Sequence, residues 1–189
     1  MEPLRSPANT LSIRARAFAL IKEHSFAVGD FTLASGKKSN YYINCKMATL
    51  DSEGLYHIAE LMLNKLDGIE CDAIGGLTLG ADPIVGAMTA LAHKRGRKLL
   101  GFIVRKEAKD HGTKSMVEGP LGEGMKVAII EDVATTGGSA SKAIEAALAF
   151  NCDIVKILVI VDRRQGAEEK FREMKIAFDP VFRKEDLGL

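Results

Sequence analysis

The apolar positions of the chain recur first at helical spacing and later as short continuous runs. Leu11, Ala15, Phe18, Ala19 and Ile21 make most of one face of a helix expected from Thr10 to about His24. Two strand-like pieces, Phe31–Leu33 and Tyr41–Asn44, flank a turn at Ser35-Gly36-Lys37-Lys38. Asp51 is placed to cap a helix that runs to about Leu66 and stops before Gly68. From there strands and helices alternate. Ala73–Gly75, Leu99–Val104, Lys126–Ile130 and Val155–Val161 read as strands, and Asp82–Lys94 and Gly138–Phe150 as helices. Strands that are apolar throughout and separated by helices predict an α/β fold with a mainly parallel sheet covered on both faces. Ligands of such sheets bind outside the carboxyl ends of the strands. The segments that follow each strand are therefore the ones to search.

Composition narrows the class. The 189 residues suit one domain with a sizeable core, and no repeat, low-complexity tract or linker interrupts them. Lys plus Arg number 26 against 25 acidic residues, a net charge of +1, which argues against a general nucleic-acid or membrane-surface binder. Cys45, Cys71 and Cys152 are odd in number and lack CxxC spacing, so small buried thiols in a reducing cytoplasm fit better than disulfides or structural zinc. Apolar runs such as Ile157–Val161 are of strand length, against about 20 residues for a membrane span.

The most informative stretch is Val127-Ala128-Ile129-Ile130-Glu131-Asp132-Val133-Ala134-Thr135-Thr136-Gly137-Gly138-Ser139. A buried strand delivers two carboxylates, then two threonines, two glycines and a serine that opens a helix. Glycines let backbone N–H groups approach an anion, and a helix start adds orphan donors and the positive end of its dipole. Thr and Ser hydroxyls add donors. The acidic pair suits a vicinal diol or a magnesium ion, which takes few carboxylates and prefers substrate oxygens. A diol binder one turn before a phosphate cradle is the footprint of a ribose 5-phosphate. Gly75-Gly76-Leu77-Thr78-Leu79-Gly80 has the glycine spacing of a P-loop, but Ala81-Asp82 stands where Lys-Ser/Thr belongs.

The string resembles the phosphoribosyl pyrophosphate motif of the type I phosphoribosyltransferases. The resemblance implies that Glu131 and Asp132 hold the ribose hydroxyls, and that Ala134, Thr135, Thr136, Gly137, Gly138 and Ser139, with Val133 beside them, line the 5-phosphate site. It also implies a small N-terminal hood, from about residues 1–50 plus the C-terminal segment, over a single domain. Ala73–Pro83, with Asp72 just ahead, would be the pyrophosphate loop. Some members carry a Lys at about Gly80, and this chain does not.

Arg105-Lys106-Glu107-Ala108-Lys109-Asp110-His111-Gly112-Thr113-Lys114 follows a strand, has no periodicity, and gathers four fixed cations and a histidine at the ligand edge. Taken alone it reads as a solvated charged loop, which most such runs are, or as a lid over a polyanion, and the segment by itself does not settle which. Arg105-Lys106-Glu107-x-Lys109-x-His111-Gly112 is similar to the catalytic loop of the orotate phosphoribosyltransferases. By that likeness Lys109 and His111 act on the leaving pyrophosphate, Arg105 and Lys106 bind the same substrate, and Asp110 supports the loop. The family's loop reaches into the neighbouring subunit, which implies a homodimer with shared sites.

Phe31-Thr32-Leu33-Ala34-Ser35-Gly36-Lys37-Lys38-Ser39-Asn40-Tyr41-Tyr42-Ile43 resembles the same family's hood pattern, and Val161-Asp162-Arg163-Arg164-Gln165 its Asp-Arg segment. The likeness makes Tyr42, Thr135 and Arg163 the orotate contacts, Arg163 through its guanidinium fork. Several bacterial members have a Lys where Ala34 stands, with Lys37 or Lys38 available to substitute. The resemblance runs from about Phe31 to Phe182-x-x-Glu185-Asp186-Leu187, with no second catalytic domain. It implies transfer of the phosphoribosyl group to orotate in UMP synthesis, with Mg²⁺ held through the substrate near Asp132. Rivals are a purine or xanthine phosphoribosyltransferase, a non-catalytic sensor of phosphoribosyl pyrophosphate, and a plain phosphate-binding domain. His24, His57 and His93 read as ordinary helical histidines.

Overall fold

The structure, a computed structural model, describes residues 7–32, 38–107 and 116–188. Helix α1 (Pro7–His24) leads into an antiparallel hairpin of β1 (Phe26–Thr32) and β2 (Lys38–Ile43), then a single-turn helix α2 (Lys46–Thr49) and helix α3 (Ser52–Asn64). The alternating part follows: β3 (Ala73–Leu77), α4 (Asp82–Lys94), β4 (Leu100–Val104), β5 (Val117–Glu118), β6 (Lys126–Ala134), α5 (Gly138–Leu148), β7 (Asp153–Asp162), α6 (Ala167–Glu173) and β8 (Phe178–Arg183). A short 3₁₀ turn, Lys184–Leu187, ends it.

Six of these strands form one sheet in the order β5-β4-β3-β6-β7-β8, parallel except for β5. Along most of the central strands, alternate residues feed opposite cores. On one face Ile74, Ala128, Ile130, Leu158 and Ile160 meet α1, α3 and α4 through Ile21, Ile58, Met62 and Met88. On the other, Phe102, Val127, Ile129, Ile157 and Val159 meet Ala140, Ile144 and Phe171 of α5 and α6. Both faces are thus covered, as continuous apolar strands require.

Local chemistry explains the boundaries. Asp51 caps α3 by accepting the Gly54 N–H at 2.8 Å. Pro83 stands in the first turn of α4, and Gly96, at φ +71°, follows its end. Helix α1 departs from expectation in its face: Ile13, Ala17, Leu20 and Ile21 are buried, whereas Ala15 and Ala19 are exposed. The expected stripe had the same spacing shifted by two residues, about 200° around the helix, and of its residues from Ala15 on only Ile21 is fully buried. Against this stripe Phe18 meets Phe182 of β8 with ring centroids 5.8 Å apart, so the C-terminal strand helps to seat the N-terminal helix.

The hairpin strands begin earlier than the apolar runs suggested. β6 also continues past Ile130, because the acidic pair stays in the strand and Glu131, Val133 and Ala134 pair with β7. β3 pairs with β6 only from Ala73 to Gly75, then runs on beside β4 as far as Leu77. The pairing of β3 and β6 therefore ends at the middle of the sheet, where the chain switches sides. That switch point is where an open α/β sheet takes its ligand.

Candidate active site

The acidic pair and the phosphate loop are brought together at this point. Glu131 and Asp132 are buried, 7% and 8% exposed, at the carboxyl half of β6. Glu131 lines a cavity of about 200 Å³ with Val133, Ala134, Thr135, Thr136, Gly137, Gly138 and Ser139. Gly137, at φ +76°, turns the chain into α5, whose first turn has no side-chain cap. A Cβ on Gly138 would meet nothing closer than the Thr136 hydroxyl at 3.9 Å. Open space over an uncapped helix start is the setting that favours a phosphate.

The end of β7 and the start of α6 hold the loop from behind. The Arg163 N–H donates to the Ala134 carbonyl at 2.9 Å, and the Ala167 N–H to the Thr135 carbonyl at 3.1 Å. Phe171 of α6 fills the space beneath Gly137.

Electrostatics divide the acidic pair. Burial first, and then the charge and hydrogen bonding of Asp132, push the Glu131 carboxyl up to about 9. Asp132 takes the Val133 N–H on Oδ1 at 2.9 Å and the Lys46 ammonium on Oδ2 at 3.2 Å. Burial pushes that ammonium down, but the charge and hydrogen bond of Asp132 outweigh it and leave it raised. Cys45, fully buried beside them, is pushed well up by burial and by the Asp132 charge, so its thiol stays neutral.

The pyrophosphate-loop segment is shorter than expected. Ala73–Leu77 is strand, Asp82 opens α4, and only Thr78–Ala81 is loop. Asp72 lies at the opposite end of β3, where it accepts the Lys126 N–H at 2.8 Å. Thr78 donates to Asp82 at 2.7 Å, and the Thr78–Leu79 peptide is cis. Gly80 abuts the acidic pair: a Cβ there would lie 2.6 Å from Asp132 Oδ1. Thr78, Arg105, Lys106, Glu107 and Glu118 share a hollow of about 540 Å³, which places the base of the cationic segment beside this loop. Arg105 reaches Glu118 at 3.2 Å. Lys109, Asp110 and His111 lie outside the described residues, as do Ala34 and Lys37.

Arg163 is buried, 4% exposed, at the end of β7. Its guanidinium lies 4.5 Å from the Tyr41 ring centroid and its Nε donates to the Tyr41 hydroxyl at 3.3 Å. Tyr42, on the other side of β2, is 45% exposed and stacks on Phe31 at 5.5 Å. Lys38 donates to Thr32 at 3.0 Å and lines a hollow of about 620 Å³ with Phe31, Asn40, Tyr41 and Gln165. His24, His57 and His93 lie within helices. Lys46, Tyr41 and Phe171 enter the site without having been expected there. For Lys46 no local signal exists, since its contact spans 86 residues of chain.

Comparison with known proteins gives this geometry a family. A model of the phosphoribosyl transferase domain matches residues 51–183. The orotate phosphoribosyltransferase of Thermosynechococcus vestitus is 44% identical over 176 residues, 93% of each chain. The crystal structure of Mycobacterium tuberculosis orotate phosphoribosyltransferase with Fe(III) dicitrate superposes with a TM-score of 0.82 at 36% identity, covering 94% of this chain and 99% of that one. The same enzyme in complex with 5-phospho-α-D-ribosyl 1-diphosphate gives 0.78 at 33% identity, with the same coverage. A cradle of Glu131–Ser139 at the switch point, shared sequence along nearly the whole chain and a shared fold lead to one conclusion: the chain belongs to the phosphoribosyltransferases, and among them to the orotate phosphoribosyltransferases.

Proposed function

We propose that the chain transfers the 5-phosphoribosyl group of phosphoribosyl pyrophosphate to orotate, giving orotidine 5′-monophosphate and pyrophosphate. The observation that carries this is the cavity lined by Glu131 and residues 133–139, with the buried Asp132 next to it, which sets an acidic pair for a diol beside an uncapped helix start for a phosphate.

In this reading Glu131 and Asp132 accept hydrogen bonds from the ribose hydroxyls, and residues 134–139 hold the 5-phosphate. The backbone of Thr78–Ala81, with Arg105 and Lys106, receives the pyrophosphate. Lys109 and His111 close over it from the segment after Lys106, and Asp110 supports that segment. The bond from the anomeric carbon to the pyrophosphate oxygen breaks as a bond from the orotate nitrogen forms on the opposite face. Between them the sugar has oxocarbenium character, which the neighbouring Asp132 carboxylate favours. Arg163, Tyr42 and Thr135 hold the base. Positioning and charge complementarity supply the rate enhancement, with no covalent enzyme intermediate.

Among the described residues no group of three or more His, Cys, Asp or Glu could enclose a metal. The Asp132 carboxylate beside the phosphate cavity nevertheless suits magnesium, which takes one or two carboxylates and fills its remaining positions with water and substrate oxygens. Asp132 would hold it, and the ion would neutralise charge on the leaving pyrophosphate.

A homodimer with shared sites is part of the same reading. Met47 and Leu50 beside Lys46, and Leu79 beside Gly80, are exposed apolar residues at the edge of the site. Among the described residues no helix is long and apolar enough to cross a membrane. The three cysteines are free and buried, which suits a cytoplasmic protein.

The test is pyrophosphate release from phosphoribosyl pyrophosphate with orotate, uracil, adenine, guanine, hypoxanthine and xanthine offered separately, with and without magnesium. Release with orotate alone, lost without magnesium, is expected. Release with a purine would keep the ribose-phosphate site and overturn the assignment of the base.

A further inference from the structure

We infer that Lys46 is the positioning residue of the ribose site. It holds the Asp132 carboxylate, through Oδ2, in the orientation that receives the sugar hydroxyls. The inference rests on the proposed function and names one more residue of that site.

Three contacts define the place of Asp132. Its Oδ1 takes the Val133 N–H at 2.9 Å, its Oδ2 takes Lys46 at 3.2 Å, and the backbone of Gly80 closes the side facing the pyrophosphate loop. A carboxylate has about four lone-pair sites. Two contacts fix its plane and leave the others for a ligand.

The cation cannot be replaced from the pyrophosphate loop. Position 80 carries no side chain, and the space of its Cβ is taken by Asp132 itself. Arg105 is paired with Glu118 in the hollow it shares with Thr78. Lys46 comes instead from α2, which follows the hood hairpin after only Asn44 and Cys45. Its side chain is 43% exposed against 12% for that of Asp132, so the ammonium stands at the mouth of the site with the carboxylate behind it. The helix is anchored well enough to aim the side chain: Ala48 and Thr49 are buried, and the Ala48 carbonyl fits against Gly54, where a Cβ would lie only 2.4 Å away.

The experiment measures calorimetric affinity for ribose 5-phosphate and for phosphoribosyl pyrophosphate, using the wild-type chain, Lys46→Met and Lys46→Arg, and both Lys46 changes again in an Asp132→Asn background. Lys46→Met is expected to weaken both ligands alike by about tenfold, the value of one charge-assisted hydrogen bond. Lys46→Arg should stay within about threefold of wild type, since it keeps the charge. In the Asp132→Asn background Lys46→Met should cost little more, because the two residues act as a unit.

Loss confined to phosphoribosyl pyrophosphate would mean that Lys46 contacts the pyrophosphate directly, and would overturn the positioning role. So would wild-type affinity in Lys46→Met, an equal loss in Lys46→Arg, or full additivity with Asp132→Asn. If the wild-type chain binds neither ligand, the proposed function falls together with this inference. If it binds both and the variants match it, only the inference falls.

Discussion

The ring of Phe171 occupies the space that a side chain on Gly137 would need. A Cβ built there would lie 2.6 Å from Phe171 Cζ and 2.8 Å from Cε2. Phe171 is completely buried, and its helix is also joined to the phosphate loop through the Ala167 N–H. Gly137 therefore answers two demands, a left-handed turn at φ +76° and a close approach to an aromatic ring that cannot easily retreat.

Gly137→Ala should consequently destabilise the fold and deform the cradle. Strain at positive φ and overpacking each cost on the order of 1–3 kcal/mol. A thermal melt should fall by at least about 3 °C, and ribose 5-phosphate affinity by more than about tenfold. Adding Phe171→Leu should recover part of the melt by freeing the space. No recovery would mean that the ring is not the obstacle.

The Glu131 carboxyl makes stability depend on pH. Its folded value of about 9 lies above its ordinary 4.5, so between these pH values the folded state binds a proton that the unfolded state has released. This contribution to stability is fully present below about pH 4.5 and is lost as pH rises toward about 9. Glu131→Gln removes the titration. The variant should melt higher than wild type at pH 8, by at least the roughly 3 °C that 1 kcal/mol is worth in a chain of this size, with the gap closing toward pH 5. Parallel melting curves from pH 5 to 9 would refute the assignment.

Much of this arrangement was legible in the chain, and the failures have physical reasons. Helix α4 was read to its end residues because Pro83 and Gly96 mark its boundaries chemically. The phosphate loop was legible because its glycines, hydroxyls and acids are adjacent in sequence. β6 was cut short at Ile130 because hydrophobicity ends there, although hydrogen bonding continues through the carboxylates. Helix α6 buries only Ala167 and Phe171, too few positions to show a period. The hood pattern points to Tyr42, whereas Tyr41 is the ring that meets Arg163, since neighbouring strand residues face opposite sides and alternation alone does not say which side that is. Lys46 sits on a single turn, where no periodicity can indicate what it faces.

Gly80→Ala tests how tightly the pyrophosphate loop is set against the acidic pair. The added methyl would meet Asp132 Oδ1 at 2.6 Å and Cγ at 2.8 Å, and the carboxylate is pinned by Val133 and Lys46. Either the loop or the carboxylate must move. Affinity for phosphoribosyl pyrophosphate should fall roughly tenfold, while the melt shifts little because alanine also restricts the unfolded chain. Wild-type affinity by calorimetry would show that the loop gives way without cost.

Arg163 connects the two halves of the site. Its backbone N–H holds the phosphate loop at Ala134, while its guanidinium lies on Tyr41 of the hood. A planar cation stacked on an aromatic ring keeps its outward N–H groups in one plane, the geometry that a carboxylate or its adjacent carbonyl needs. Arg163→Lys retains the charge and the backbone hydrogen bond but loses that plane. It should raise the KM for orotate by roughly tenfold or more and leave phosphoribosyl pyrophosphate affinity within about threefold. Tyr41→Phe, which keeps the ring and removes only the hydroxyl, should cost about threefold or less in the same KM. Steady-state kinetics with each substrate varied in turn separates the two effects. A fall in phosphoribosyl pyrophosphate affinity with an unchanged KM for orotate would move Arg163 from the base to the phosphate loop, and the base would then need another partner under the hood.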